Sequence, residues 1–198
     1  MPRRPLRHDG PRRFRGDRHQ RRLGQNVGQR DLAVVSRQRR LGFVLLSPPT
    51  TSGARTLNML ERAQGLLGFE SHLLANLFAK PCKDLRELTE LGVRSEDWQA
   101  SRAALGEFLD VSDALFLAWG MSKPSGAARR LLAEQLDWLV QEATVRGHEQ
   151  VWTVGGQPRH PSRWHQYVSV HHGRAGRGSL DDRLARVLVR QSLASCPV

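Results

Sequence analysis

The residues best suited to chemistry lie in one short stretch, Val154-Gly155-Gly156-Gln157-Pro158-Arg159-His160-Pro161-Ser162-Arg163-Trp164. It gathers an imidazole, a hydroxyl, two guanidiniums and an indole. Gly155 and Gly156 open backbone angles that a β-carbon forbids. Pro158 and Pro161 stiffen the turn and bar helix at the residues before them. A histidine on such a loop can donate to an oxyanion that develops in a transition state. Ser162 can bond a phosphate, and Arg159 and Arg163 can neutralise one. Trp164, on a polar loop, is expected to stand exposed or inserted into a ligand. The competing reading is a surface loop whose histidine only caps neighbouring backbone. Asn76 is the second candidate, since its amide holds both a donor and an acceptor and can read the edge of a base. Its competing role is to satisfy loop backbone.

Other chemistries fit poorly. His160, His165, His171 and His172 have no closed metal-site spacing and no carboxylate among them, and Cys82 and Cys196 are too few for a four-cysteine site. No metal and no organic cofactor is expected. A serine hydrolase of the nucleophile-elbow type needs Gly-x-Ser-x-Gly, which does not occur. Ser47-Pro48-Pro49-Thr50 is superficially like a methyltransferase turn, but no glycine-rich cofactor loop accompanies it.

The elements that must position these residues follow from apolar runs. Leu41 to Leu46, His72 to Leu77, Ala114 to Trp119 and Gln150 to Val154 read as strands, the continuous runs among them as strands buried on both faces. Between them lie helical patterns: one from the Thr50–Gly53 caps to Gly68, a short one from Asp84 to Leu91, one long helix after Ser95, and one from Ser125 to near Gly147. A last amphipathic helix is expected over Ser179 to Leu193, behind a flexible linker at Gly173 to Gly178. Strands alternating with helices imply parallel pairing and helices on both faces. Ligands then bind beyond the carboxyl ends of the strands. All four of those ends are Gly/Pro-broken and polar.

Charge is divided unevenly. Residues 1–40 hold thirteen arginines and three aspartates, or +10, whereas residues 41–198 hold eighteen basic and sixteen acidic residues, or +2. Residues 1–40 are read as an Arg-rich disordered arm, although Leu32 to Val35 could form a lead-in edge strand. Residues 41–170 are read as the α/β domain, and 171–198 as linker and helix. An arginine-rich arm attracts phosphate backbones without reading sequence. No apolar run approaches the ~20 residues of a membrane span. A cytoplasmic monomer with no membrane partner is expected.

The pieces Leu45-Leu46-Ser47-Pro48, Ala75-Asn76-Leu77-Phe78-Ala79, Ala118-Trp119-Gly120 and Gly156-Gln157-Pro158-Arg159-His160-Pro161 carry a resemblance. Over roughly Gly42 to Ser169 the chain resembles a bacterial domain of unknown function, the family numbered sixteen forty-three. More distantly, it is similar to the uracil-DNA glycosylase superfamily. That resemblance implies a three-layer αβα fold with a four-stranded parallel sheet in the order 2-1-3-4. It implies that Asn76, with Ser47 and Pro48, contacts a base flipped out of DNA. It further implies that His160 stabilises charge on the departing base, and that Trp164 falls at the position of a duplex wedge. Thr50, Thr51, Arg159, Ser162 and Arg163 would lie along the phosphates. The chain departs from the superfamily in its first loop, where residues 47–55 hold no Asp, Glu or Asn to place the attacking water. Thr50, Thr51 or backbone would then place it. The expectation is a nucleobase N-glycosylase on DNA. The alternatives are a non-catalytic nucleic-acid-binding protein on the same fold and an enzyme acting on a free nucleotide, with the helix N-terminus at Thr50 to Gly53 as its anion site.

Overall fold

The structure is a computed structural model that describes residues 38–196. The expected arm and the Leu32–Val35 strand lie, almost entirely, outside the described residues. Five strands form one sheet: β1 (Arg40–Leu45), β2 (Ser71–Asn76), β3 (Ala114–Leu117), β4 (Gln150–Val154) and β5 (Leu188–Ser192). Their order is β2-β1-β3-β4-β5. The first four run parallel, as the alternation of strand and helix requires, with Leu45 opposite Asn76 and Phe43 opposite Phe116. The fifth is antiparallel and pairs with β4 from Gln150–Ser192 to Val154–Leu188.

β5 corrects the expectation of four strands and of a helix over Ser179 to Leu193. A helix does start there, capped reciprocally by Ser179 and Asp182, but it stops at Ala185. Leu184 and Val187 are buried, so their helical spacing is genuine core patterning. The next residues instead satisfy their backbone on the open edge of β4, which an unpaired fourth strand would have left exposed. The expected linker is tied down as well. Ala175 is buried, and the Arg186 guanidinium donates to the carbonyls of Ala175 and Arg177 at 2.8 and 2.5 Å.

Helices cover both faces. On one side lie α1 (Ala54–Leu66), the short α6 (Trp164–Tyr167) and α7 (Leu180–Ala185), around Phe43, Met59, Leu60, Phe116 and Leu184. On the other lie α2 (Leu85–Leu91), α3 (Ser95–Gln99), α4 (Arg102–Val111) and α5 (Gly126–Val145), around Phe78, Trp98, Leu105, Leu115 and Leu136. The single long helix expected after Ser95 is therefore two. The break falls at Ser101, whose hydroxyl lies 2.8 Å from both the Leu77 and the Trp98 carbonyl and shares its one proton between them. Gln135, fully buried in α5, donates to the same Leu77 carbonyl and to the Ser101 hydroxyl. A side chain that serves two carbonyls competes with helix continuation. Residues 38–196 belong to one compact unit. Among them no helix is long and apolar enough to cross a membrane.

Candidate functional site

A cleft of about 870 Å³ opens beyond the carboxyl ends of the parallel strands. Its walls come from the loop after β1, the start of α1, the loop before α2, the loop after β3, and the residues from Arg159 to Arg174. Ser47, Pro48, Thr50, Thr51, Arg159, His160, Ser162 and Arg163 all line it, so eight of the ten residues singled out by sequence converge on one hollow. Two do not. Asn76 is the last residue of β2, opposite Leu45, but the wall beside it is made by Leu74 and by Cys82 to Leu85. The Asn76 Oδ1 is buried without a hydrogen-bond partner among the described residues. Trp164 is fully buried, so the expectation of an exposed or inserted indole is corrected. Its ring lies 5.1 Å from that of Phe116, and its Nε1–H donates to the Arg159 carbonyl at 2.7 Å. The indole anchors the loop from within the core rather than projecting from it.

The loop after β4 is built from its glycines and prolines. Gly155 and Gly156 have φ of 60° and 69°, the left-handed region that favours glycine. The Gly155 amide donates to the Val187 carbonyl ahead of β5, and the Gly120 amide, after β3, donates to the Pro158 carbonyl at 2.6 Å. Two neighbouring strand ends thus fix the segment that precedes His160. A β-carbon at 155 would lie 2.2 Å from the Tyr167 hydroxyl, so the bare glycine also makes room for that ring.

His160 is held in one tautomer. Its Nδ1 accepts from the Ser162 backbone N–H at 3.3 Å, and an amide can only donate. The Ser162 hydroxyl sits 2.9 Å from the same nitrogen. The proton of the neutral ring is therefore on Nε2, which has no partner among the described residues. Burial first, and then the nearby Arg163 guanidinium, push the imidazole pKa below its ordinary value. His160 does cap neighbouring backbone, but with Nδ1, which leaves Nε2–H as a neutral donor at the cleft. Ser162 orients the imidazole, a role the sequence did not assign to it.

The walls are strongly basic. Lys83, Arg159, Arg163 and Arg174 line the cleft, and none of the four side chains is ion-paired with a carboxylate among the described residues. Elsewhere Arg62, Arg86, Arg130 and Arg146 are each paired with an acid. Helix α1 adds an uncapped N-terminus: Gly53 stands at its N-cap with no side-chain bond, and no acid occupies its first turn. Its free amides favour negative charge. Asp84 is the one carboxylate among the described lining residues, and its Oδ1 already accepts from the Glu87 amide at 2.9 Å. Cys82 also lines the cleft, and burial, followed by Glu87, raises its thiol pKa. A protonated thiol is no nucleophile.

The cleft has an apolar part too. Leu46, Leu74, Trp119 and Met121 line it, and Leu74 and Met121 are 42% and 48% exposed. Lys83, Asp84, Tyr167 and Arg174 escaped identification as site residues from sequence. They lie away from the strand ends in the chain, and only the fold brings them to the rim.

Neither the curated proteins nor the solved structures contain a match to this chain. A family model described as a protein of unknown function (DUF1643) matches residues 30–162, which take in β1 to β4 and the loop as far as Ser162. That is more than half of the chain, and the chain belongs to that family.

Proposed function

We propose that the cleft takes a nucleotide unit of DNA and releases its base, making the chain a nucleobase N-glycosylase-like protein. The observation that carries this reading is the composition of one cleft: counterion-free cations, an apolar patch, and a neutral imidazole donor locked by Ser162. A nucleotide has the matching parts, an anionic phosphate, a flat apolar base and a leaving group that gains negative charge. In the reaction the C1′–N bond breaks with its electron pair to the base. Water supplies the oxygen that bonds to C1′, and its protons end on that hydroxyl and on the base. His160 Nε2–H stabilises the charge on the departing base as it forms. Removing one such donor typically costs about 10²–10³ in rate.

Arg159, Arg163, Thr50 and Thr51 hold phosphate in this reading, and Ser47, Pro48 and Leu74 border the base. Asn76 has no direct base-reading part, because it does not line the cleft. Water is placed by Asp84 or by backbone of the first loop. The test is single-turnover release of uracil from a uracil-containing oligonucleotide. His160→Ala is expected to lose release and keep binding. Undiminished release in that variant removes the role assigned to the imidazole.

A second reading, an enzyme acting on a free nucleotide, is favoured by one observation. Trp164 is core, so the loop presents no tryptophan wedge for prising a base from a duplex. Base release from a mononucleotide, with none from duplex DNA, supports that reading.

A further inference from the structure

The Tyr167 ring has two guanidiniums against it. The Arg159 Cζ lies 4.1 Å from the ring centre and the Arg174 Cζ lies 5.1 Å from it. The ring face is electron-rich and attracts each guanidinium. Two like charges gathered on one ring nevertheless repel each other. Among the described residues no carboxylate relieves them, and the buried Arg159 Nε has no acceptor. An unpaired buried donor of a charged group is costly. The arrangement is complete only when an anion lies between or beside the two arginines. Tyr167 itself is fixed by its seat over Gly155.

The geometry points to an anion clamp, Arg159–Tyr167–Arg174, that takes a terminal phosphate monoester more tightly than an internal phosphodiester. An internal phosphodiester brings one negative charge. A monoester brings about −1.5 to −2 near neutral pH, with three acceptor oxygens. Two planar guanidiniums, each able to donate two bonds in parallel, match that higher charge and acceptor count. Lys83, Arg163 and the α1 N-terminus line the same cleft, with Asp84 as the only acid among the described lining residues. Arg174 and Tyr167 lie beyond the residues matched by the family model, so the clamp is completed by the C-terminal segment of this chain. The inference deepens the proposed function and rests on it only for the nucleotide that carries the phosphate.

The test measures dissociation constants by calorimetry on the full chain. The probes are thymidine, thymidine 5′-monophosphate, and an oligothymidylate with and without a 5′-phosphate. At least one phosphorylated probe is expected to bind tenfold or more tightly than its unphosphorylated counterpart, with inorganic phosphate competing. Preference in the mononucleotide pair assigns the clamp to a free nucleotide, and preference in the oligonucleotide pair alone assigns it to a strand end. Arg174 is exposed, so Arg174→Gln leaves the fold intact; it is expected to cut the preference at least fivefold. Tyr167→Phe keeps the ring and is expected to keep the preference, while Tyr167→Leu loses it. Equal affinity within both pairs, or an undiminished preference in Arg174→Gln, overturns the clamp. Base release without phosphate preference sinks the clamp alone, and phosphate preference without base release sinks the glycosylase reading alone.

Discussion

At the scale of single residues, His160 lines the cleft as a linear reading expects, whereas Trp164 is buried, contrary to that reading. The imidazole lines the cleft with Nδ1 committed to Ser162, which leaves Nε2 as its donor. Burial and Arg163 lower its pKa, so the unfolded chain binds a proton at this site more tightly than the folded one. Stability attributable to His160 is therefore full above the ordinary imidazole pKa and falls as pH drops through that value. An NMR titration of the ring is expected to give a midpoint below ~6.5. A midpoint at or above that value contradicts the assigned environment. Trp164 packs fully in the core, so Trp164→Ala is expected to cost about 3–5 kcal/mol in denaturant unfolding. An exposed wedge would lose almost nothing on the same change. The sequence could not separate these outcomes, because a tryptophan four residues past a histidine looks the same whether its turn faces inward or outward.

At the scale of elements, the four parallel strands were legible because each is a short apolar run bounded by glycine, proline or polar residues. β4 is observed over the very residues that read as a strand, Gln150 to Val154. The first helix was legible at its far end, where Gly68 adopts φ 71° and the Gly68 and Phe69 amides close on Gly65 and Gln64. Two features were hidden. Ser101 breaks the helix after Ser95 through hydrogen bonds to Leu77, far away in sequence. β5 is decided by the open edge of β4, a tertiary fact that no local pattern records. The glycine pair after β4 gives the prediction at this scale. Gly155→Ala places a β-carbon on the Tyr167 hydroxyl and at an unfavourable φ, so Tyr167 must move. The variant is expected to lower the unfolding midpoint and weaken phosphate binding, whereas Gly65→Ala, where a β-carbon meets nothing, leaves both intact. Equal behaviour of the two variants contradicts the packing described.

At the scale of the whole molecule, charge is the organising quantity. Residues 1–40 carry +10 of the total of +12, and the cleft holds its own unpaired cations. The two contributions differ in salt dependence. Affinity for an oligonucleotide falls with log[salt] in proportion to the phosphates neutralised. Removing residues 1–37 is expected to flatten that slope for long DNA and to leave mononucleotide binding unchanged. An unchanged slope contradicts a role for the arginine-rich segment in gripping a nucleic-acid backbone. The location of the cleft was legible from sequence, since parallel α/β sheets bind ligands at the carboxyl ends of their strands. Its basic character was legible only in part: Arg159 and Arg163 stand on the loop read from sequence, whereas Lys83 and Arg174 reach the cleft only through the fold.

The most direct test of the account is base release. Wild-type protein and His160→Ala are incubated with oligonucleotides that each carry one modified base, and abasic sites are scored while binding is measured in parallel. The account predicts abasic sites from at least one substrate with wild type and a fall of about 10²–10³ in rate with the variant at similar affinity. Binding by wild type with no abasic site from any substrate contradicts it.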